Sequence, residues 1–406
     1  MTASDKWYCS LPWTGFSNDP DGKVRPCCLY KDYIRDESGE LMYVQTHTME
    51  EIFHSKFMKD LRQQFRDGKK PAGCRTCIVD EKNGHRSKRE IYERFKDGGT
   101  EYLVDFEGEP DIPSEFQMII SNACNLKCRS CTPSHSNLWQ AEHKQVWGHT
   151  AYDMPHGQSG SRDGLLWKNR HEWYPTIKNL EIVGGEPFYI GQWNEIWDEM
   201  IELGVSKNIR ISMSSNAVIY AADRLESIAE NFDHVGLGLS IDGMGAVYDY
   251  LRHPGRWTEV SENVRRYSEW RSSRQIANLD ISISHTISWV NVWWLPEFRQ
   301  WLDENTRGFK FWYNLVHSPD HMALWALPIH AKDLIEEKLL TWGQDAAEVS
   351  GILNHMHSRQ PSNEELYELY EKFRVYDRAR NEDIKSVVPQ EVLPYMKHLL
   401  SESSDE

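Results

Sequence analysis

Between residues 116 and 316 the chain alternates short apolar-rich runs with stretches of helical period. Six runs read as strands: "FQMIIS" (116–121), "NLEIVG" (179–184), "NIRISMS" (208–214), "HVGLGLS" (234–240), "NLDISIS" (278–284) and "FKFWYNLV" (309–316). Strands separated by helical segments predict parallel βα units and an α/β fold. Several of these runs also alternate in chemistry. In "VGLGLSI", Val235, Leu237, Leu239 and Ile241 fall on one face, and Gly236, Gly238 and Ser240 on the other. Arg210, Ser212 and Ser214 share a face, as do Asp280, Ser282 and Ser284. Small and polar residues facing inward predict a wet interior, whereas a packed barrel is filled with Val, Ile and Leu. Six strands fall short of a closed eight-stranded barrel, so an open, partial (β/α)6 barrel is expected over 116–328.

The flanks read differently. Thr48 with Glu51 three residues on is a capping box. Met49, Phe53, Phe57, Leu61 and Phe65 then carry one apolar face to a stop at Gly68, a single helix and the clearer of two expected in a small α+β region spanning 1–97. The Gly- and Pro-punctuated stretch that follows reads as a linker, 98–115. From 329 to 406 the pattern is helical and charged, a C-terminal extension that ends in the acidic tail "SESSDE". The segment 133–175, with "DMPHGQSGSRDG", is long for a βα connection and predicts a lid or a substrate-facing arm.

Composition narrows the partners. The chain has 406 residues, room for two or three domains. With 46 Lys and Arg against 62 Asp and Glu, its net charge of −16 repels a phosphate backbone and argues against nucleic acid. No apolar run approaches the ~18 residues of a membrane span, and the N-terminus lacks the pattern of a secretory signal. A soluble cytoplasmic protein is expected.

Cysteine changes the picture most. The eight stand at 9, 27, 28, 74, 77, 124, 128 and 131. Short clustered spacings in such a chain favour metal over disulfides. "CNLKCRSC" (124–131) follows the first barrel strand, on a loop expected to lie peripheral to the core. Loops at the C-terminal ends of barrel strands are where chemistry sits. Three thiolates can hold three irons of a [4Fe–4S] cube and leave the fourth iron open, as catalytic metal sites do. A zinc knuckle completed by His135 fits the same spacing.

CX3CX2C after a first strand resembles the signature of the radical S-adenosylmethionine (SAM) enzymes. The resemblance implies that Cys124, Cys128 and Cys131 bind a [4Fe–4S] cluster whose open iron chelates SAM. "NLEIVGGEPFY" is similar to the family's GGEP stretch, which implicates Gly184, Gly185, Glu186 and Pro187 at the SAM amino group. Glycines admit close backbone approach, and Glu186 can accept from an ammonium. "ISMSSNAV" implicates Ser214 and Asn216; "GLGLSIDG" with "YLRHPGRW" implicates Ser240 and Arg252. An ordinary turn also accounts for Ser214 and Asn216, and a surface salt bridge for Arg252.

The N-terminal cysteines resemble the auxiliary module called SPASM, or twitch in its one-cluster form. Three cysteines on the SAM loop leave five, enough for one four-thiolate cluster and not two. The GX4C spacing from Gly22 selects Cys27 beside Cys9, Cys74 and Cys77. Cys28, its side chain opposed to that of Cys27, is left as a buried free thiol. In the family this module follows the barrel, whereas here it precedes it. A four-cysteine zinc ribbon is the alternative. The resemblance implies an enzyme that cleaves SAM to a 5′-deoxyadenosyl radical and abstracts hydrogen from a polar substrate, a peptide or protein segment. An electron donor such as flavodoxin or ferredoxin is implied with it. The alternatives are a dehydrogenase of a small aminoglycoside-like molecule and a non-catalytic zinc or iron–sulfur scaffold. No catalytic acid or base is assigned. Seventeen Trp, several in loop-like stretches, supply either core packing or a stacking surface for a peptide.

Overall fold

The computed structural model describes residues 7–82, 86–94, 108, 112–274, 276–343 and 346–397. The acidic tail and most of the linker 98–115 lie outside the described residues. Eight strands form: β1 Gly15–Asn18, β2 Val24–Arg25, β3 Glu115–Met118, β4 Asn179–Ile182, β5 Arg210–Ser215, β6 His234–Ser240, β7 Leu279–Ile287 and β8 Lys310–Leu315. They make one sheet in the order β2-β1-β3-β4-β5-β6-β7-β8. β1 pairs parallel with β3, β3 with β4, β4 with β5 and β7 with β8, while β1 and β2 are antiparallel. The protein is an α/β fold on a mostly parallel sheet. The six strands expected from the short apolar-rich runs are present as β3 to β8.

The other two strands are a finding of the structure. "GFSN" is four residues long and buried throughout, so it has no alternation to read. Its place in the sheet comes from long-range bonds. Asn18 Nδ2 donates to the Ile119 carbonyl at 2.7 Å, and Ser17 Oγ to Gln117 Oε1 at 3.1 Å. The cysteine-rich region is therefore built onto the sheet through β1.

The chain packs as two compact units, one of residues 1–123, 152–213 and 225–235, the other of 124–151, 214–224 and 236–406. In the first, the capping box forms at Thr48, but the expected single helix is broken. Met49–Phe53 ends at His54, and Ser55 caps a second helix, Lys56–Arg66, by accepting from the Met58 N–H. The break frees the Phe53 carbonyl, which takes a hydrogen bond from fully buried Arg62 at 2.9 Å. Part of the insert is a strap in this unit. The Ser159 N–H donates to Pro20, Gly160 to Ile120, Leu165 to Gln45 and Leu166 to Val44.

β6 alternates as expected, with Val235, Leu237 and Leu239 buried while Gly236, Gly238 and Ser240 are half-buried. β7 buries Ile281, Ile283 and His285 and turns Ser282, Ser284 and Thr286 to its more open face. The helices Ile329–Trp342, Ala346–His357 and Asn363–Arg380 share an apolar core with residues 287–295, around Trp289, Ile352, Tyr370 and Phe373. No helix among the described residues is long and apolar enough to cross a membrane.

Candidate metal centres

The loop 124–131 leaves β3 and is anchored at each of its turns. The Cys124 N–H donates to Asn137 Oδ1 at 3.0 Å, and Ser136 Oγ donates to the Leu126 carbonyl at 2.6 Å. Trp139 Nε1 donates to the Cys128 carbonyl at 2.6 Å. All three partners open the helix Asn137–Trp147 or cap it. Asn216 Nδ2 donates to Asn125 Oδ1 at 2.7 Å and lies 3.9 Å from Cys124 Sγ. Its Oδ1 also accepts from the Val218 N–H, so the turn and the cysteine contact coexist. Ser214 is exposed on β5, and Ser240 is half-buried at the end of β6.

The loop is not peripheral. Leu126 and Arg129 are buried within it. The thiols stand in a partly desolvated, mutually repelling group. Burial raises the Cys128 thiol, with Arg252 opposing and Asp242 adding to the rise. Burial, then Cys128 and Cys124, push the Cys131 thiol up to about 12. Arg252 is no surface salt-bridge partner. It is buried, with Nη2 2.7 Å and Nε 2.8 Å from Asp242 Oδ2. The other Asp242 oxygen accepts from the Thr286 N–H at 2.8 Å. Sequence reasoning missed Asp242, although "SIDG" places an acid two residues past Ser240.

The GGEP turn needs both its glycines. Gly184 and Gly185 have φ of +75° and +62°, which L side chains rarely adopt. A Cβ on Gly185 would sit 2.6 Å from the Ala123 carbonyl oxygen, one residue before Cys124. The Glu186 N–H donates to that same carbonyl at 2.9 Å. Glu186 is buried, and its Oε1 accepts from the Phe188 N–H at 3.3 Å; Pro187 is buried beside it.

In the first unit, beyond burial, Cys27, Cys74 and Cys77 raise the Cys9 thiol, Cys28 and Cys77 raise that of Cys27, and Cys27 and Cys77 raise that of Cys74. Burial is the larger cause in each case and takes Cys27 up to about 11 and Cys74 up to about 12. Gly22, from which the Cys27 spacing is counted, has φ +88°, and a Cβ there would overlap the buried Gln45 side chain.

Residues 9–78 match the family model of SPASM, described as an iron–sulfur cluster-binding domain. The N-terminal module is of the SPASM type. No curated protein matches the chain. Among solved structures it is similar to anSMEcpe with AdoMet and a peptide bound, at 17% identity and a TM-score of 0.36 over 59% of this chain and 61% of that one. It is also similar to SuiB of Streptococcus suis bound to its precursor peptide SuiA, at 13% identity and a TM-score of 0.31 over 76% of this chain and 60% of that one. The chain thus spans about three fifths of the length of these structures.

The donor set of the SPASM-type module suits a cluster of soft metal ions, since four neighbouring thiols, two buried and two half-buried, bind Fe–S clusters or zinc once deprotonated. Among the described residues, no three His, Cys, Asp or Glu side chains converge on a single ion. The fifth cysteine raises the Cys27 thiol but has a cationic partner of its own. Cys28 is half-buried, not enclosed as expected, and its Sγ accepts from Lys88 Nζ at 3.1 Å. Lys88 also pairs with Glu181 on β4 at 3.4 Å. Neither Lys88 nor Glu181 carried a sequence signal for this role.

Proposed function

We propose that this chain is a radical SAM enzyme with one auxiliary [4Fe–4S] cluster, acting on a peptide or protein segment. The observation that carries the reading is the cysteine loop: three thiols on one anchored turn after β3, Cys131 feeling both Cys128 and Cys124, with Asn216 against Cys124. Cys124, Cys128 and Cys131 would hold the SAM-binding cluster, and Cys9, Cys27, Cys74 and Cys77 the auxiliary one. The resemblance assigns SAM contacts to Gly184, Gly185, Glu186, Pro187, Ser214, Asn216, Ser240 and Arg252. When bound, the cluster and SAM supply a one-electron cleavage that generates a 5′-deoxyadenosyl radical for hydrogen abstraction.

The chain's own residues do the rest. The Asn216 amide orients Cys124, and Asp242 fixes the Arg252 guanidinium at two nitrogens. The open face of β6 and β7 presents Ser240, Ser282, Ser284 and Thr286, which favours a polar substrate. On β8 Trp312 stands directly across from Ser284 and is 60% exposed, a stacking surface for an extended chain. A flavodoxin- or ferredoxin-like donor would supply the electron.

Anaerobic reconstitution with iron and sulfide, followed by SAM and dithionite, tests this reading. Two cubes correspond to about eight irons per chain, and 5′-deoxyadenosine should form. Cys128→Ala should abolish that product while keeping about half the iron. Bound zinc with no SAM cleavage would sink the enzyme in favour of a scaffold. Stimulation of cleavage by an aminoglycoside and never by peptides would overturn the substrate class.

A further inference from the structure

The cysteine loop carries two cations, and the segment 377–382 holds Arg129 directly and reaches Lys127 through Glu142. Arg129 lies between Cys128 and Cys131 and is only 4% exposed. Its Nη2 donates to Asp377 Oδ1 at 2.5 Å and to Glu382 Oε2 at 2.6 Å. Its guanidinium lies 3.7 Å from the centroid of the Tyr250 ring, whose hydroxyl donates to the same Asp377 oxygen at 2.9 Å. Asp377 Oδ2 accepts from the Ile384 N–H, and Glu382 Oε1 lies 2.6 Å from His253 Nδ1. Lys127, one residue before Cys128, donates to Glu142 Oε1 at 2.5 Å. Arg380 grips Glu142 in turn, Nη2 to Oε2 at 2.7 Å, and stacks over Trp139. The backbone follows the side chains: the N–H groups of Lys127 and Arg129 donate to the His253 and Leu251 carbonyls.

A buried guanidinium is tolerated only where carboxylates compensate it, and removing one of them leaves an unpaired charge out of water. Both compensating acids of Arg129 come from the segment 377–382, beyond the sheet and beyond every motif the cysteine pattern contains. We infer that this C-terminal segment is the clamp of the cysteine loop. Asp377 and Glu382 are positioning residues acting through Arg129, and Arg380 is one acting through Glu142 and Lys127. The clamp is a property of the protein alone. Its consequence for a cluster rests on the radical SAM reading.

Two measurements on the full chain separate these. The first is hydrogen–deuterium exchange over residues 124–131 in the metal-free protein. Asp377→Asn and Glu382→Gln should each speed exchange there about tenfold or more, with residues 9–78 unchanged. Glu371→Gln is the control, because Glu371 lies on the helix that carries Asp377 but is a third exposed and pairs with Arg374 and Arg378. The second is iron release to a chelator from reconstituted protein in a Cys27→Ala background. There Glu382→Gln should speed loss about tenfold, as expected when a ligand's supporting shell is cut. If Asp377→Asn fails to fold, Glu382→Gln, with the more exposed acid, carries both tests. Unchanged exchange in 124–131, or an equal rise in Glu371→Gln, overturns the clamp. Faster exchange in a chain that never takes up iron leaves the clamp standing and removes the enzyme reading.

Discussion

Cys27 and Cys28 are neighbours with opposite surroundings. Cys27 shares a desolvated group with Cys9, Cys74 and Cys77, while the Cys28 sulfur faces the Lys88 ammonium. A thiol held by an ammonium is not positioned to join the other four around one cluster. Cys28→Ala should therefore retain full iron after reconstitution, and Cys27→Ala should lose about half, which iron analysis reads directly. Equal loss in both would place Cys28 among the ligands. The glycines at 22, 184 and 185 belong to the same scale. Each occupies a positive φ with a neighbour where its Cβ would be, so the spacing motifs that contain them record backbone requirements.

Between elements, ion pairs do some of the work that periodicity does not show. The helix Gly191–Glu202 is tied to the preceding segment through Glu199. Arg170 donates to both its oxygens, and Tyr174 Oη lies 2.9 Å from Oε2. The Arg170 hydrogen bonds hold the Glu199 carboxyl at about 2, against the opposing effect of burial. A carboxylate with a folded pKa below its unfolded ~4.3 stabilises fully above that value and loses the contribution as pH falls towards 2. The side chain is a quarter exposed, so solvent screening reduces the gain to about 1–2 kcal/mol. Glu199→Gln should cost about that at pH 7 in a urea melt, and the gap to the unmodified protein should narrow from pH 4.3 downwards. A gap independent of pH would assign the effect to packing.

Across the whole molecule the net charge of −16 suggests relief of repulsion on mild acidification. Buried His285 and half-buried His321 oppose it. Burial, then Lys372 and Arg129, hold the His321 ring down at about 3, and burial lowers His285 as well. A histidine kept neutral in the fold stabilises fully above its unfolded ~6.5, and that contribution is lost as pH falls below it. His321 alone removes about 1.4 kcal/mol per pH unit there, and His285 adds in the same direction, while most carboxylates have yet to titrate. Melting temperature should therefore fall between pH 6.5 and 5, and His321→Gln should blunt the fall; a rise over that range would show repulsion to dominate. What the sequence determined by itself is what local chemistry encodes: six strands from short apolar-rich runs between helical stretches, a capping box from two residues, and two cysteine groups and a glycine turn from their spacing. What only the tertiary structure decided is what depends on where the chain returns. β1 is too short to alternate, and the helix that begins at Thr48 breaks where Arg62 can bond Phe53. Cys28 meets Lys88 across 60 residues, and Arg129 meets Asp377 across 248. A buried charge is settled by partners near in space, and no periodicity or spacing along the chain carries that distance.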